Sequence, residues 1–363
     1  MGKHHTPELS PVKDRSAVRK TVLALSALTL FVIAMVASYS GAFAKPTLHH
    51  MTVAVSGPAQ LVDGLRGQDA LSVNAVGDAA AARAQVFERT ADTAFAVTPD
   101  RHMEIFVAGG GGHSVAAAAE AVGRATAERA GLTPVVEDVA PTSVGDPSGT
   151  VEFYAVIFIS IGASLGAALL GRLMGVVRAP ATLALRTASL AAFSAVLAGV
   201  VTVYVGPVLD ALIGHPLQVF GVLWLYAMAV GGAVTGVAAA FGTMASVALG
   251  LFLMVVGNAA AAGPVGRPLL SGFYSAFSAI VPQGSGVSLL RSISYFDGHG
   301  AATPLATLAL WAAAGCLLAV LATAARVNYR ALYERGLERG GSRFRGRFQS
   351  GAVLRPRFVP SAD

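Results

Sequence analysis

The residues able to do chemistry are few, and their spacing organises none of them. The chain has 8 histidines, 20 carboxylates and one cysteine in 363 residues. Cys316 lies inside an apolar run, so it offers neither an intrachain disulfide nor a cysteine-based metal site and reads as a small buried apolar residue. His102 and His113 lack metal-ligand spacing. His4-His5 and His49-His50 are adjacent pairs that cannot share a helix face, so all six read as surface histidines. There is no Ser-His-Asp or HExxH arrangement and no GxxxxGK[ST] phosphate loop. The stretch AGGGGHS, residues 108–114, falls at an expected strand-to-helix junction, where a glycine-rich turn can cradle an anion. No Lys or Thr follows in Walker spacing, so a flexible turn with Ser114 as helix N-cap is the better reading. The sequence points to no catalytic site, no cofactor and no metal.

What dominates is apolarity. Hydrophobic residues make up 54% and charged residues 13%, with a mean hydropathy of +0.63. Soluble domains carry about 25% charged residues, so this composition describes an integral membrane protein. A helix crosses the hydrocarbon layer with about 20 apolar residues. Six runs meet that length: Thr21 to Phe43, Phe153 to Gly171, Thr187 to Leu209, Leu217 to Phe241, Thr243 to Gly263 and Ala301 to Ala325. The fifth is weakened by its Ala/Gly end. The first ends in Ala42-Phe43-Ala44, a small-x-small pattern resembling a signal-peptidase site; an uncleaved anchor is the preferred reading.

Basic residues fix the expected orientation. Five lie in the N-terminal tail, Arg172, Arg178 and Arg186 follow the second span, and nine arginines lie between Arg326 and Arg357. That puts 17 of 26 positive charges on one side of six alternating spans. Both termini are therefore expected in the cytoplasm and the protein in the plasma (inner) membrane. The net charge of +6 is mostly this asymmetry, so nucleic acid is not an expected partner, whereas membrane lipid is.

The expected domains are a cytoplasmic tail (1–20), a first transmembrane helix (21–44), an extracytoplasmic α/β domain (45–150), a five-helix transmembrane domain (151–326) and a basic cytoplasmic tail (327–363). In 45–150, acids outnumber bases 12 to 7. The pattern there predicts strands at 51–55, 71–76, 94–97, 103–107 and 134–139, with helices at 58–66, 78–89 and 114–130.

Three further features bear on function. No span carries a charge near its centre, and Glu152, Asp210 and His215 are expected at water-accessible span ends. That argues against proton or sodium coupling. Small residues recur at four-residue spacing in Gly162/Gly166, Gly232/Gly236 and Ser246/Gly250, which favours close helix packing within the chain, with a dimer face as the alternative. Between the last two spans, residues 264–300 are too polar to cross a bilayer and too apolar for a free loop. Pro264, Pro268, Pro282, Gly284 and Gly286 are expected to break this stretch into two short amphipathic helices, Leu269 to Ile280 and Val287 to Tyr295. Phe273 and Phe277 lie on an apolar face of the first, and Arg291 is polar on the second. Such a hairpin would re-enter from the outer face and close a pathway.

A long insert after span one, an Arg-bearing loop after span two and this hairpin before span six resemble ABC-2-type transporter permeases, in particular actinobacterial and YhgE/Pip-like membrane proteins. The phrases VEDVAPTSVGDPSG and FYSAFSAIVPQGSGVSLLRSISYFDG carry the resemblance. It implies a separate ABC-type ATPase subunit, a second permease copy (homo- or heterodimer) and export of a hydrophobic or amphipathic substrate. The ATPase-coupling loop would map onto Gly171 to Arg186, with Arg172, Arg178 and Arg186 facing the ATPase. The outer re-entrant gate would hold Pro264, Phe273, Phe277, Pro282, Gly284, Gly286 and Arg291. The alternative is a non-transporting scaffold or sensor whose extracytoplasmic domain binds an envelope ligand or protein.

Overall fold

Long apolar runs without Pro or charge become helices, and that determines most of this molecule. The structure, a computed structural model, describes residues 15–175, 179–212 and 214–349. Five helices are long and apolar enough to cross a membrane: Ser16–Phe43, Val151–Met174, Pro180–Val208, Pro216–Phe241 and Ala302–Tyr329. Their outer faces leave large apolar side chains uncovered, among them Leu30, Phe158, Val196, Val200 and Leu310, each more than 60% exposed. A water-facing surface of that kind would aggregate. The protein is a helical membrane protein that also carries one small sheet.

In chain order, α1 (Arg15–Phe43) leads to β1 (Met51–Ser56), α2 (Ala59–Arg66), β2 (Leu71–Ala75), α3 (Ala79–Phe87), β3 (Thr93–Val97), β4 (His102–Val107), α4 (His113–Ala130) and β5 (Thr133–Asp138). The elements from β1 to β5 each begin and end within two residues of their sequence expectation, whereas α1 starts six residues before the expected Thr21. The strand order is β2-β1-β3-β4-β5, parallel throughout except for the antiparallel β3–β4 pair. Both faces are covered, and alternation along β1 shows how. Met51, Val53 and Val55 face one core with Phe95, Ile105 and Ala119. Ala54 faces the other, with Ala82, Val86, Ala94 and Phe106. That second core is completed by Phe296, which comes from the far end of the chain and is 1% exposed.

The membrane part consists of α5 (Val151–Met174), α6 (Pro180–Val203), α7 (Pro216–Phe241), α8 (Thr243–Phe252), α9 (Gly272–Ser278), α10 (Pro282–Tyr295) and α11 (Ala302–Gln349). Helix α7 is central and packs against α5, α6, α8, α10 and α11. Two of the three small-residue pairs are used within the chain. A Cβ at Gly236 would lie 2.4 Å from the Gly315 carbonyl oxygen, so α7 and α11 cross backbone to backbone. Gly162 and Gly166 receive Leu197 and Phe193 of α6. The third pair differs: a Cβ at Gly250 would meet nothing within 4 Å. Cys316 is exposed, not buried as its apolar setting implied.

The expected fifth span is shorter than the others. Its apolar helix runs Thr243–Gly257, ending in a wide turn over Leu253–Gly257. The chain nevertheless travels on: a Cβ at Gly263 would lie 2.2 Å from the ring of Phe153, at the start of α5. Residues 243–263 thus connect the Phe241 end of the bundle to the α/β end.

Candidate functional site

The α/β unit and the membrane helices meet at α10, and two arginines hold the junction. Arg291, only 4% exposed, sits on α10 one turn before its end. Its Nη1 donates to the carbonyls of Gly111 and Ala262 (3.2 Å each), and its Nη2 to those of Gly149 (3.2 Å) and Gly263 (3.0 Å). One guanidinium thereby ties the glycine run before α4, the linker into α5 and the loop after α8 to a single helix. Glu152 Oε1 lies 4.0 Å from Arg291 Nε, within ion-pair range, and Glu152 is fully buried. The expectation of a water-accessible Glu152 is therefore corrected: the α/β unit covers that end of α5.

Arg89, just after α3, reaches across from the other side. Its Nη1 donates to the Ser288 carbonyl (2.8 Å) and the Ser292 hydroxyl (2.5 Å), and its Nη2 to the Ser288 hydroxyl (3.3 Å). The guanidinium carbon sits 5.0 Å above the Phe296 ring, a cation–π contact. Burial, with the nearby positive charge of Arg291, pulls the Arg89 pKa down to about 10, so it stays charged at neutral pH. Asp92 lies close by; burial holds its carboxyl above the ordinary carboxylate range, opposed by a 2.8 Å hydrogen bond from the Thr52 amide.

The glycine run is the seat of α10, which corrects its reading as a flexible turn. Residues Gly109–Gly111 form one tight turn, and a Cβ at Gly110 would lie 2.4 Å from Tyr295 Cγ. Only glycine admits the ring. Ser114 does not cap α4, whose N-cap is Gly112; its hydroxyl instead accepts from the Gly266 amide at 3.2 Å. His49 N–H donates to the Pro268 carbonyl at 2.8 Å, a further seam.

The expected gate residues divide into two groups. Pro282, Gly284, Gly286 and Arg291 come together on α10 and are buried. The glycines do not break the helix. Pro282 starts it as its first residue, and the glycines let it approach its neighbours, since Cβ atoms there would meet the Ser278 carbonyl at 2.0 Å and Tyr226 and Val156 at 3.1 Å. Pro264 is exposed, Phe273 is 56% exposed and Phe277 is partly buried. Phe273 and Phe277 stack at 4.6 Å, beside Phe252, on the outside of the bundle and not around a passage. Leu270, in the same stretch, is fully buried, whereas Ile280 is 62% exposed.

Among the three loop arginines, Arg172 is exposed at the end of α5. Arg186 is 5% exposed and lies against Gly171, with a Cβ there 2.8 Å from its Nη2. It is a packed residue of α6 and not a surface cation. Arg178 lies outside the described residues, as do His4, His5 and the ends of both tails. The stretch 171–186 is the end of α5 and the start of α6, with no separate helix among its described residues.

No family model, curated protein or solved structure matches this chain.

A cavity of about 390 Å³ opens at the same junction. Its walls include Arg89 and Asp92 from the α/β unit, Arg267 from the loop before α9, Ser285, Ser288 and Arg291 from α10, and Thr303 and Thr307 from α11. Arg267 is exposed and makes no side-chain hydrogen bond or ion pair among the described residues. Sequence reasoning picked out Arg291 but missed Arg89, Asp92 and Arg267. The available signal was the glycine run, whose lack of side chains was a seat for something large.

Proposed function

We propose that this chain is a membrane permease subunit, moving a hydrophobic or amphipathic substrate across the plasma membrane with a separate ABC-type ATPase and a second permease copy. One observation carries this reading: α10 is a short, polar helix buried inside the bundle. Gln283, at its start, donates to Ser160 of α5 at 3.1 Å, while Arg291, near its end, contacts Gly149 beside the start of α5. Eight residues separate Gln283 from Arg291 along α10, so the helix reaches about 12 Å down from the α/β end at 1.5 Å per residue. Such a half-depth helix suits the outer plug of a pathway, tolerated at membrane depth because protein satisfies its polar groups.

Counting residues 243–263 as a crossing gives six spans, both termini on the cytoplasmic side and the α/β unit outside. The ATPase partnership rests on the resemblance. The exposed Arg172 remains as its docking cation, and Arg186 is withdrawn from that role by its burial. Purification from the native host in mild detergent tests the reading. A stoichiometric nucleotide-binding subunit is expected; its absence, with export indifferent to every co-expressed ATPase, would refute it.

A second reading, a scaffold or sensor, is favoured by a different observation. Arg291 and Arg89 fasten the α/β unit directly to α10, so a ligand held by that unit would bear on a helix inside the membrane. Capture of an envelope protein or ligand with no ATPase would select it.

A further inference from the structure

We infer that the junction cavity is a binding site for a phosphate group, held by Arg89 and Arg267 with the positive charge of Arg291 behind them, at the level of the lipid headgroups. Three arginines against one aspartate leave the lining with a formal charge of +2. Like charges converge at a cost unless something neutralises them. Arg291 is neutralised in part by Glu152 behind it, whereas Arg89 and Arg267 share the single carboxylate of Asp92. Arg89 also has donors to spare. A guanidinium carries five N–H groups, and Arg89 commits three of its hydrogen bonds to Ser288 and Ser292. Planar guanidinium forks are suited to phosphate oxygens, and the hydroxyls of Ser285, Ser288 and Thr303 supply further donors on the same walls. The cavity volume of about 390 Å³ lies in the range of small-molecule sites.

Depth argues for the headgroup. Thr303 and Thr307 stand one turn apart in the first two turns of α11, at the α/β end of that span. Ala279 lines the cavity, and the next residue, Ile280, is 62% exposed among the apolar surface of the bundle. An anionic phospholipid could thus place its phosphate inside while its chains stay in the bilayer. A free phosphate anion from the outer solution offers the same chemistry. The inference rests on the junction geometry and stands independently of the permease reading.

The test uses the full chain in nanodiscs. Native mass spectrometry counts retained lipids in phosphatidylglycerol-containing and pure phosphatidylcholine discs. Apparent Tm in phosphatidylcholine discs is followed with inorganic phosphate, with chloride at equal ionic strength as control. Retention of phosphatidylglycerol identifies a lipid headgroup; stabilisation by inorganic phosphate identifies a soluble anion. Two variants separate binding from folding. Arg267→Ala, at an exposed position, should weaken the retained anion about tenfold or more, the value of one charge-assisted hydrogen bond. Asp92→Asn keeps the acceptor for Thr52 and removes the only acid from the walls, so it should tighten binding. Opposite signs from these two substitutions are what a structural effect would not produce. Equal retention of both lipids with no response to phosphate, or an Arg267→Ala protein that binds as the wild type does, would overturn the site.

Discussion

Removing the Arg291 guanidinium should unfasten the α/β unit from the membrane helices. Arg291→Leu deletes donors to four buried carbonyls, at Gly111, Gly149, Ala262 and Gly263, and leaves the Glu152 carboxylate without its nearby cation. Charge-assisted hydrogen bonds contribute about 1.5–3 kcal/mol each. The four share one group, so they do not sum. Breaking a buried pair by removing one partner costs about 3–5 kcal/mol, and that is the expected loss. The weak point is the seam, so the loss should appear first as local opening there. Hydrogen exchange read by mass spectrometry in detergent is the assay, with peptides covering Gly109–Val115 and Pro282–Tyr295. At 1.36 kcal/mol per decade, exchange at both should accelerate by roughly 10²–10⁴-fold, while α7 stays protected. Adding Glu152→Gln removes the stranded charge and should recover about 1 kcal/mol or more, as a double-mutant cycle would read it. Exchange in Arg291→Leu within about threefold of the wild type at both peptides would refute the latch, since even one lost charged hydrogen bond exceeds that.

The other expectations are simpler. Gly110→Val should undock Tyr295 and raise exchange over the same two peptides, because a Cβ there meets the ring at 2.4 Å; an unchanged pattern would mean the seat is plastic. Gly236→Leu should lower the apparent Tm, with an overpacking cost of about 1–3 kcal/mol or more, because the Gly315 backbone cannot move aside; Gly250→Ala, in open space, should be close to neutral. Burial holds the Asp92 proton more tightly in the folded protein than in the unfolded chain, so its carboxylate opposes folding above the raised pKa and the opposition fades as pH falls through it. The Tm gain of Asp92→Asn should accordingly be larger at pH 7 than at about pH 3, below the ordinary carboxylate range, where the aspartate is largely protonated in the folded and unfolded states alike. In a Cys316→Ala background, cysteines at Val144 (90% exposed) and Met244 (82% exposed) should label from outside and inside the cell respectively; labelling from the same side would overturn the six-crossing topology.

The elements were legible wherever periodicity was strong. Alternation in MTVAVS and its sister strands placed the sheet, and uninterrupted apolar runs placed five membrane-length helices. Pro282, Gly284 and Gly286 were all read as breakers with a helix starting at Val287, but Pro282 is the first residue of α10 and the glycines lie inside it. Glycine inside a buried helix carries no local sign that distinguishes a break from a close approach; only the neighbours, here Ser278 and Tyr226, decide. The same blindness turned Gly109–Gly112 into a flexible turn. Arg89 was invisible because its partners, Ser288 and Ser292, lie about 200 residues away. Glu152 looked solvent-exposed because hydropathy places a residue along the bilayer normal and says nothing of what sits on top.

Phe296 gives the molecule a schedule. It fills one face of a sheet whose last strand ends at Asp138, so that sheet leaves the ribosome with a gap in its core. At 5–20 residues per second, the roughly 160 intervening residues take about 8–30 s to make. Throughout that interval Ala54, Val86 and Phe106 must wait, partly wetted, for a ring that arrives only after most of the spans have been threaded into the bilayer. Residues 45–150 expressed alone would keep that gap permanently, so the α/β unit completes its core only once the end of α10 is in place.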